Sequence, residues 1–251
     1  MSIRAAVFDL DHTLYDFMYC HEKADQAIAE YVKEHFSIDG EAYHKRLAWA
    51  MDFTVEKIGV MNASSHSRTL RYQTFLESID ASVFEHAYVM CRVYWDTFLQ
   101  YLRSDPAVVR VLELLRARGI RIGIATDMTC DVQLEKIRLL GIGDLIDFLV
   151  TSEEAGMEKP GKRILDLCVK KAGVPKEECV FIGDHPLKDV AGPLAYGMQA
   201  VWCRHFDPER FMECFHISVD PSVVRGLPYR FENYNDCVKE GKLVSLGGLI
   251  L

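Results

Sequence analysis

The apolar residues of this chain follow two different spacings along the sequence. Residues 4–8 form a short apolar run that ends abruptly at Asp9, as a buried strand does where it feeds a loop. From Phe17 to about Tyr101 the apolar positions recur at helical spacing, which predicts about four helices and no strand. We therefore expect an all-helical insert between the first strand and the rest of the chain.

Strands and helices alternate after Asp105-Pro106, a pair that signals the start of a helix. The predicted helices are 107–117, 132–140, 163–172 and one that ends near Tyr196, and the predicted strands are 120–125, 148–150, 180–182 and 199–202. Such alternation, with short glycine-marked turns, predicts an α/β fold with a parallel sheet covered by helices on both faces. The tail from His205 onward is expected to pack against this core or against a neighbouring subunit.

Composition and charge narrow the class of protein. With 251 residues, 49% of them hydrophobic and 26% charged, the chain is long enough for a large core and typical of a globular protein. A net charge of −8 gives no basic field for nucleic acid, and no apolar stretch approaches the roughly 18 residues that would span a membrane. The eight cysteines show no C-x-x-C pair, so free thiols and a cytoplasmic location are expected. The oligomeric state stays open.

Polar residues gather after the predicted strands. In open parallel sheets ligands bind outside the carboxyl ends of the strands. The residues at or after those ends are Asp9 and Asp11, Thr126 and Asp127, Lys159, and Asp184 with Asp189. This gathering predicts a site at one edge of the sheet.

Asp9 and Asp11 are the most informative members of this set. Two residues apart in extended geometry, their side chains start on the same side of the chain and can share one centre. Together with Asp184 and Asp189 they would repel one another strongly without a cation, and a set of hard oxygen ligands suits Mg²⁺. The sequence therefore predicts a magnesium site.

These residue types also fit phosphoryl transfer. An ionised carboxylate is a competent nucleophile toward phosphorus, so Asp9 is the predicted attacker. A carboxyl group whose pKa is raised by like charges can exchange protons with the leaving alkoxide and with water, which is the role expected of Asp11. A hydroxyl group on Thr126 and an ammonium group on Lys159 can stabilise the charge on a phosphoryl group in transit.

Four segments, in this order, resemble the four motifs of the haloacid dehalogenase superfamily: FDLDHTL at 8–14, IAT at 124–126, KP at 159–160 and GDHPLKD at 183–189. The resemblance covers about residues 3–202. It implies a Rossmann-like core formed by 1–15 and 102–251, with a helical cap at 16–101.

The resemblance also implies roles for individual residues. Asp9 would be the nucleophile and Asp11 the acid and base. Mg²⁺ would be bound by the carboxylate of Asp9, the backbone carbonyl of Asp11 and Asp184, with Asp189 at or near the metal. The phosphate would be held by Thr126, Asp127 through its backbone N–H, and Lys159.

Two positions refine this picture. Asp11 favours phosphate chemistry, because the dehalogenases that name the superfamily lack this second acid. Asp127 departs from the family, in which many members have Asn, and an extra anion there would weaken phosphate binding unless its side chain points away.

The leading hypothesis is a capped phosphatase that acts on a small phosphorylated metabolite. A phosphomutase that uses the same core, and a catalytically idle binding protein, are the alternatives. Arg68, Arg71 and Tyr72 share one face of a predicted helix in the insert and could contact a leaving group, although a solvated surface is the favoured interpretation.

Overall fold

The structure is a computed structural model that describes residues 2–249. It divides into two compact units. The sheet unit comprises Met1–Asp16 and Arg103–Leu251, and the helical unit is Phe17–Leu102. Within the described residues, no helix is long and apolar enough to cross a bilayer.

The sheet unit is built on six parallel strands in the order β3-β2-β1-β4-β5-β6. The strands are β1 Ala5–Phe8, β2 Arg121–Thr126, β3 Phe148–Thr151, β4 Cys179–Gly183, β5 Gln199–Cys203 and β6 Arg230–Phe231. β1 is central and fully buried, as an uninterrupted apolar run in a parallel sheet should be. The predicted α/β fold is confirmed, and the first five strands lie where the apolar runs place them.

Helices connect the strands of the sheet unit. They are α5 Pro106–Ala117, α6 Cys130–Leu140, α7 Ser152–Ala155, α8 Lys162–Ala172, α9 Gly192–Tyr196, α10 Pro208–Cys214 and α11 Pro221–Arg225. α5 begins at the predicted Asp105-Pro106 signal, where the Asp105 carboxylate accepts a hydrogen bond from the Ala107 N–H at 2.7 Å. α6 ends at Gly141 with a positive φ of 67°, a conformation that glycine adopts without strain. A π-helical turn, Pro186–Ala191, follows β4.

The helical unit contains the four helices expected from the sequence. They are α1 Phe17–Phe36, α2 Gly40–Ile58, α3 Arg68–Glu77 and α4 Val83–Tyr101, with a short 3-10 turn at Ala63–His66. Ala24, Ile28 and Val32 are buried along one face of α1, four residues apart, which is the pattern that predicted the helix. Asp39 begins α2 by accepting a hydrogen bond from the Ala42 N–H at 2.9 Å.

The tail packs against the sheet, as one of the two expectations had it. Its β6 pairs with β5, and a small antiparallel pair, β7 Val238–Lys239 and β8 Lys242–Leu243, follows. β6 was not predicted from the sequence, because a strand of two residues is too short to show the alternation of apolar and polar positions that indicates a strand. Tyr234, just beyond β6, is fully buried.

Candidate active site

The carboxyl ends of β1 and its two neighbours meet at one edge of the sheet. Phe8, the last residue of β1, is in register with Ile124 of β2 and Ile182 of β4. The Asp9 N–H donates to the Ile182 carbonyl at 2.8 Å, which extends the pairing by one step. Residues that follow these three strands are therefore brought together, as the parallel arrangement predicts.

Three of the predicted aspartates form one buried cluster at this edge. Asp9, Asp184 and Asp189 each offer a carboxylate oxygen within 4.8 Å of the others, and all three side chains are buried. Lys159, from the loop after β3, donates from Nζ to Asp9 Oδ1 at 2.5 Å and to Asp189 Oδ1 at 2.8 Å. The second oxygen of Asp189 accepts the His185 N–H at 2.9 Å.

Burial and like charge make this cluster electrostatically unfavourable by itself. Burial raises the pKa of Asp9 to about 7, Lys159 opposes the shift, and Asp189 and Asp11 add to it. The pKa of Asp184 lies well above its ordinary value because of burial and then the charges of Asp9 and Asp189. One ammonium group faces three carboxylates, so a hard divalent cation fits this oxygen donor set.

Asp11 lies in a different environment from the one expected. Its carboxylate accepts hydrogen bonds from Lys136 Nζ at 2.7 Å, from Gln133 Nε2 at 3.2 Å and from the Tyr15 hydroxyl. Burial alone would raise the pKa of Asp11, but the charge of Lys136 and these hydrogen bonds lower it below its ordinary value. The expectation that like charges raise this pKa is therefore wrong for the structure as it stands. The roles expected of Asp11 in proton transfer and metal binding stay predictions.

Thr126 and Asp127 follow β2 on the same edge. The Thr126 hydroxyl accepts a hydrogen bond from Gln133 Nε2 at 2.5 Å. The Asp127 carboxylate accepts the Lys159 N–H at 2.9 Å and pairs with Lys188 Nζ at 2.9 Å. Lys188 Nζ also pairs with Glu158 at 3.0 Å, so the unusual acid at this position shares one ammonium group with a second carboxylate.

Hydrogen bonds from the sheet and the tail fix the loop after β1. The Thr13 hydroxyl donates to Asp184 Oδ1 at 3.2 Å and accepts the Asp184 N–H at 3.1 Å. Tyr234 donates to the Thr13 carbonyl at 3.1 Å, and Trp202 Nε1 donates to the Asp184 carbonyl at 2.8 Å. The loop after β1 and the loop after β4 are thus held together by hydrogen bonds from both sides.

The polar residues of the site that the sequence did not indicate include Gln133, Lys136, Lys188 and Tyr234. Gln133 and Lys136 are three apart and fully buried on α6, so a polar pair at helical spacing after the second motif was a usable signal. Lys188 lies inside the fourth motif. Nothing in the sequence around Tyr234 indicated that it would contact the site.

The comparisons with known proteins agree with this geometry. Residues 3–197 match the model of the family described as haloacid dehalogenase-like hydrolase, and the chain belongs to that family. The predicted family is thereby confirmed.

Its relatives place it among the phosphatases of the family. It is 32% identical over 206 residues to ribulose-1,5-bisphosphate 5-phosphatase of Halopiger xanaduensis, which is 81% of this chain and 84% of that protein. It is also 32% identical over 205 residues to glyceraldehyde 3-phosphate phosphatase of Methanopyrus kandleri. This alignment covers 80% of this chain and 84% of that protein. The predicted enzyme class, a phosphoric monoester hydrolase, is confirmed.

A solved structure supports the fold. The crystal structure of a HAD phosphatase from Thermococcus onnurineus superposes with a TM-score of 0.66, covering 96% of this chain and 100% of that one, at 20% identity. At that identity the likeness concerns the fold alone.

Proposed function

We propose that this chain is a Mg²⁺-dependent phosphatase that hydrolyses a small sugar phosphate through an aspartyl-phosphate on Asp9. The observation that carries the proposal is the buried cluster of Asp9, Asp184 and Asp189 around Lys159 at the carboxyl edge of the sheet. The relatives named for ribulose-1,5-bisphosphate and glyceraldehyde 3-phosphate support a substrate of this size.

In this proposal Asp9, Asp184 and Asp189 hold the metal, with the Asp11 carbonyl that the family resemblance adds. When bound, Mg²⁺ offsets the carboxylate charges and draws electron density from the phosphate oxygens. Lys159 orients the Asp9 carboxylate through its 2.5 Å hydrogen bond, which fixes which oxygen is free to attack. It also brings a positive charge to the transferring phosphoryl group, where Thr126 supplies a hydroxyl.

Proton transfer is assigned to the Asp11 carboxylate. In the ionised state that Lys136 favours, Asp11 can take a proton from the water that hydrolyses the aspartyl-phosphate. The reverse transfer, to the leaving alkoxide, needs a protonated Asp11. An incoming phosphate dianion favours that form, because like charge raises a carboxyl pKa. The helical unit, Phe17–Leu102, is proposed as the cap that the resemblance implies.

The test is phosphate release from glyceraldehyde 3-phosphate, ribulose 1,5-bisphosphate and p-nitrophenyl phosphate, with Mg²⁺ and with chelator. We expect release only with Mg²⁺ and a loss of at least about a thousandfold in Asp9→Asn, because the amide is not a nucleophile. Asp131→Asn makes the same change at an exposed residue of α6 and should leave the rate unchanged. Phosphate release without a metal ion, or an active Asp9→Asn enzyme, would contradict the proposal.

A further inference from the structure

The helical unit holds a cationic cluster that the proposed chemistry does not use. Arg68 on α3 donates from Nη2 to the Tyr94 hydroxyl of α4 at 2.8 Å, and its guanidinium carbon lies 4.2 Å from the centre of that ring. His21 Nδ1, on α1, lies 2.8 Å from the same hydroxyl. Arg71 and Tyr72, next along the face of α3, are 8% and 2% exposed. The interpretation of this face as solvated is therefore wrong for Arg71 and Tyr72, whereas Arg68 is only partly buried.

Arg68 lacks a counter-charge. Within residues 2–249 no carboxylate forms an ion pair with it, its one hydrogen-bond partner is a neutral phenol, and its Nε is buried without a partner. Asp25 also acts on this cluster, but its two oxygens accept hydrogen bonds from Tyr43 at 3.3 Å and from His44 at 2.6 Å. Arg68 is partly buried, and its Nε atom is shielded from water, so the guanidinium is incompletely solvated and an anionic ligand would stabilise it.

His21 adds no charge of its own to the cluster. Burial, followed by the charges of Arg68 and Arg71, lowers the pKa of His21 to about 3, so its imidazole is neutral. The Tyr94 hydroxyl accepts a hydrogen bond from Arg68 and shares a second one with His21 Nδ1. These hydrogen bonds orient the guanidinium and leave its Nε–H edge to another acceptor.

We propose that Arg68, with Arg71, Tyr94 and His21 around it, forms an anion-binding site of the helical unit that takes a phosphate or carboxylate group of a small metabolite. The planar guanidinium donates along two parallel N–H directions, which matches the paired oxygens of those groups. Arg71, three residues further along α3, donates from Nη2 to the Ser65 carbonyl at 2.9 Å.

Binding is tested directly with inorganic phosphate as the probe. In protein labelled with ¹⁵N-arginine, the Nε–H signal of Arg68 is assigned by its loss in Arg68→Lys. We expect a saturable shift of this signal, with a dissociation constant in the millimolar range or tighter. The shift should persist in Lys159→Met, which removes the ammonium group from the catalytic edge. Arg92→Lys, an exposed arginine of α4 paired with Asp96 at 2.8 Å, is the matched control and should change nothing.

No saturable shift of the Arg68 signal over that range would overturn the proposal. Its loss in Lys159→Met would overturn it too, because the effect would then originate at the catalytic edge. Both titrations are performed on the wild-type protein or on a variant distant in sequence from α3, and Arg68→Lys serves only to assign the signal.

A second experiment, on the kinetics of Arg68→Lys, decides whether the bound anion belongs to the substrate or to another metabolite. This experiment rests on the proposed function. If the group belongs to the substrate, Arg68→Lys lowers kcat/KM for ribulose 1,5-bisphosphate at least about tenfold more than for p-nitrophenyl phosphate, whose leaving group carries no second anion. Equal effects on both esters assign the site to a separate metabolite. A protein that releases no phosphate at all would sink the proposed function, and the phosphate titration would still decide the site.

Discussion

Asp184→Asn is expected to make the metal-free protein more stable and at the same time to abolish its response to Mg²⁺. Asp9, Asp184 and Asp189 lie within 4.8 Å of one another, and two ionised carboxylates at that distance repel by about 3 kcal/mol at an effective dielectric constant of about 20. The raised pKa of Asp184 shows that protonation already relieves part of this repulsion. A net gain of about 1–3 kcal/mol is therefore expected in the free energy of unfolding.

The packing around residue 184 should survive the change. The Thr13 hydroxyl can still donate to the amide oxygen, and the Trp202 hydrogen bond reaches the backbone carbonyl. For a chain of this size the gain corresponds to a rise in Tm of roughly 2–10 °C in chelator. Wild-type protein should gain stability on addition of Mg²⁺ through binding to the folded state, whereas the variant should gain little.

Thermal unfolding followed by circular dichroism, in chelator and in Mg²⁺, measures both effects. Asp105→Asn is the control, because it makes the same substitution at a helix cap away from the cluster. It should lower Tm slightly in both buffers and keep the Mg²⁺ response. An Asp184→Asn protein that is less stable than wild type in chelator, or that still responds fully to Mg²⁺, would refute the electrostatic reasoning.

Three further predictions concern groups around the site. Lys136→Met removes the charge that lowers the pKa of Asp11, so less of the ionised carboxylate remains to take a proton from water. Because hydrolysis of the aspartyl-phosphate is common to both esters, kcat should fall at least about tenfold for an alkyl phosphate and for p-nitrophenyl phosphate alike, as measured by steady-state kinetics. Tyr234→Phe leaves a buried carbonyl without its donor and should lower the free energy of unfolding by about 1–2 kcal/mol in urea titrations. Gly183→Ala would place Cβ 2.5 Å from the side chain of Asp189, so calorimetry should show weakened Mg²⁺ binding.

The strands and the cluster of acids were predictable for a simple reason. Parallel strands that end together bring the residues after them to one edge, so Asp9 and Asp184 could be placed there from the apolar runs alone. Lys159 was placed with them by its position after the third strand of the alternating pattern.

The partners of Asp11 were not predictable in the same way. Lys136 is 125 residues from Asp11, and a lysine on a helix is usually solvent-exposed, so nothing local indicates a fully buried ammonium group. Its charge, with the hydrogen bonds to Asp11, reverses the direction of the pKa shift that burial alone would cause. The contact of Tyr234 with the first loop spans 221 residues and depends on how the tail folds back.

The covalent intermediate tests the central claim most directly. Wild-type protein quenched with acid during turnover of glyceraldehyde 3-phosphate in Mg²⁺ should yield a peptide that carries one phosphoryl group on Asp9 by mass spectrometry. Asp9→Asn should yield none under the same conditions. A phosphoryl group found on another residue, or steady phosphate release by Asp9→Asn at the wild-type rate, would contradict the mechanism.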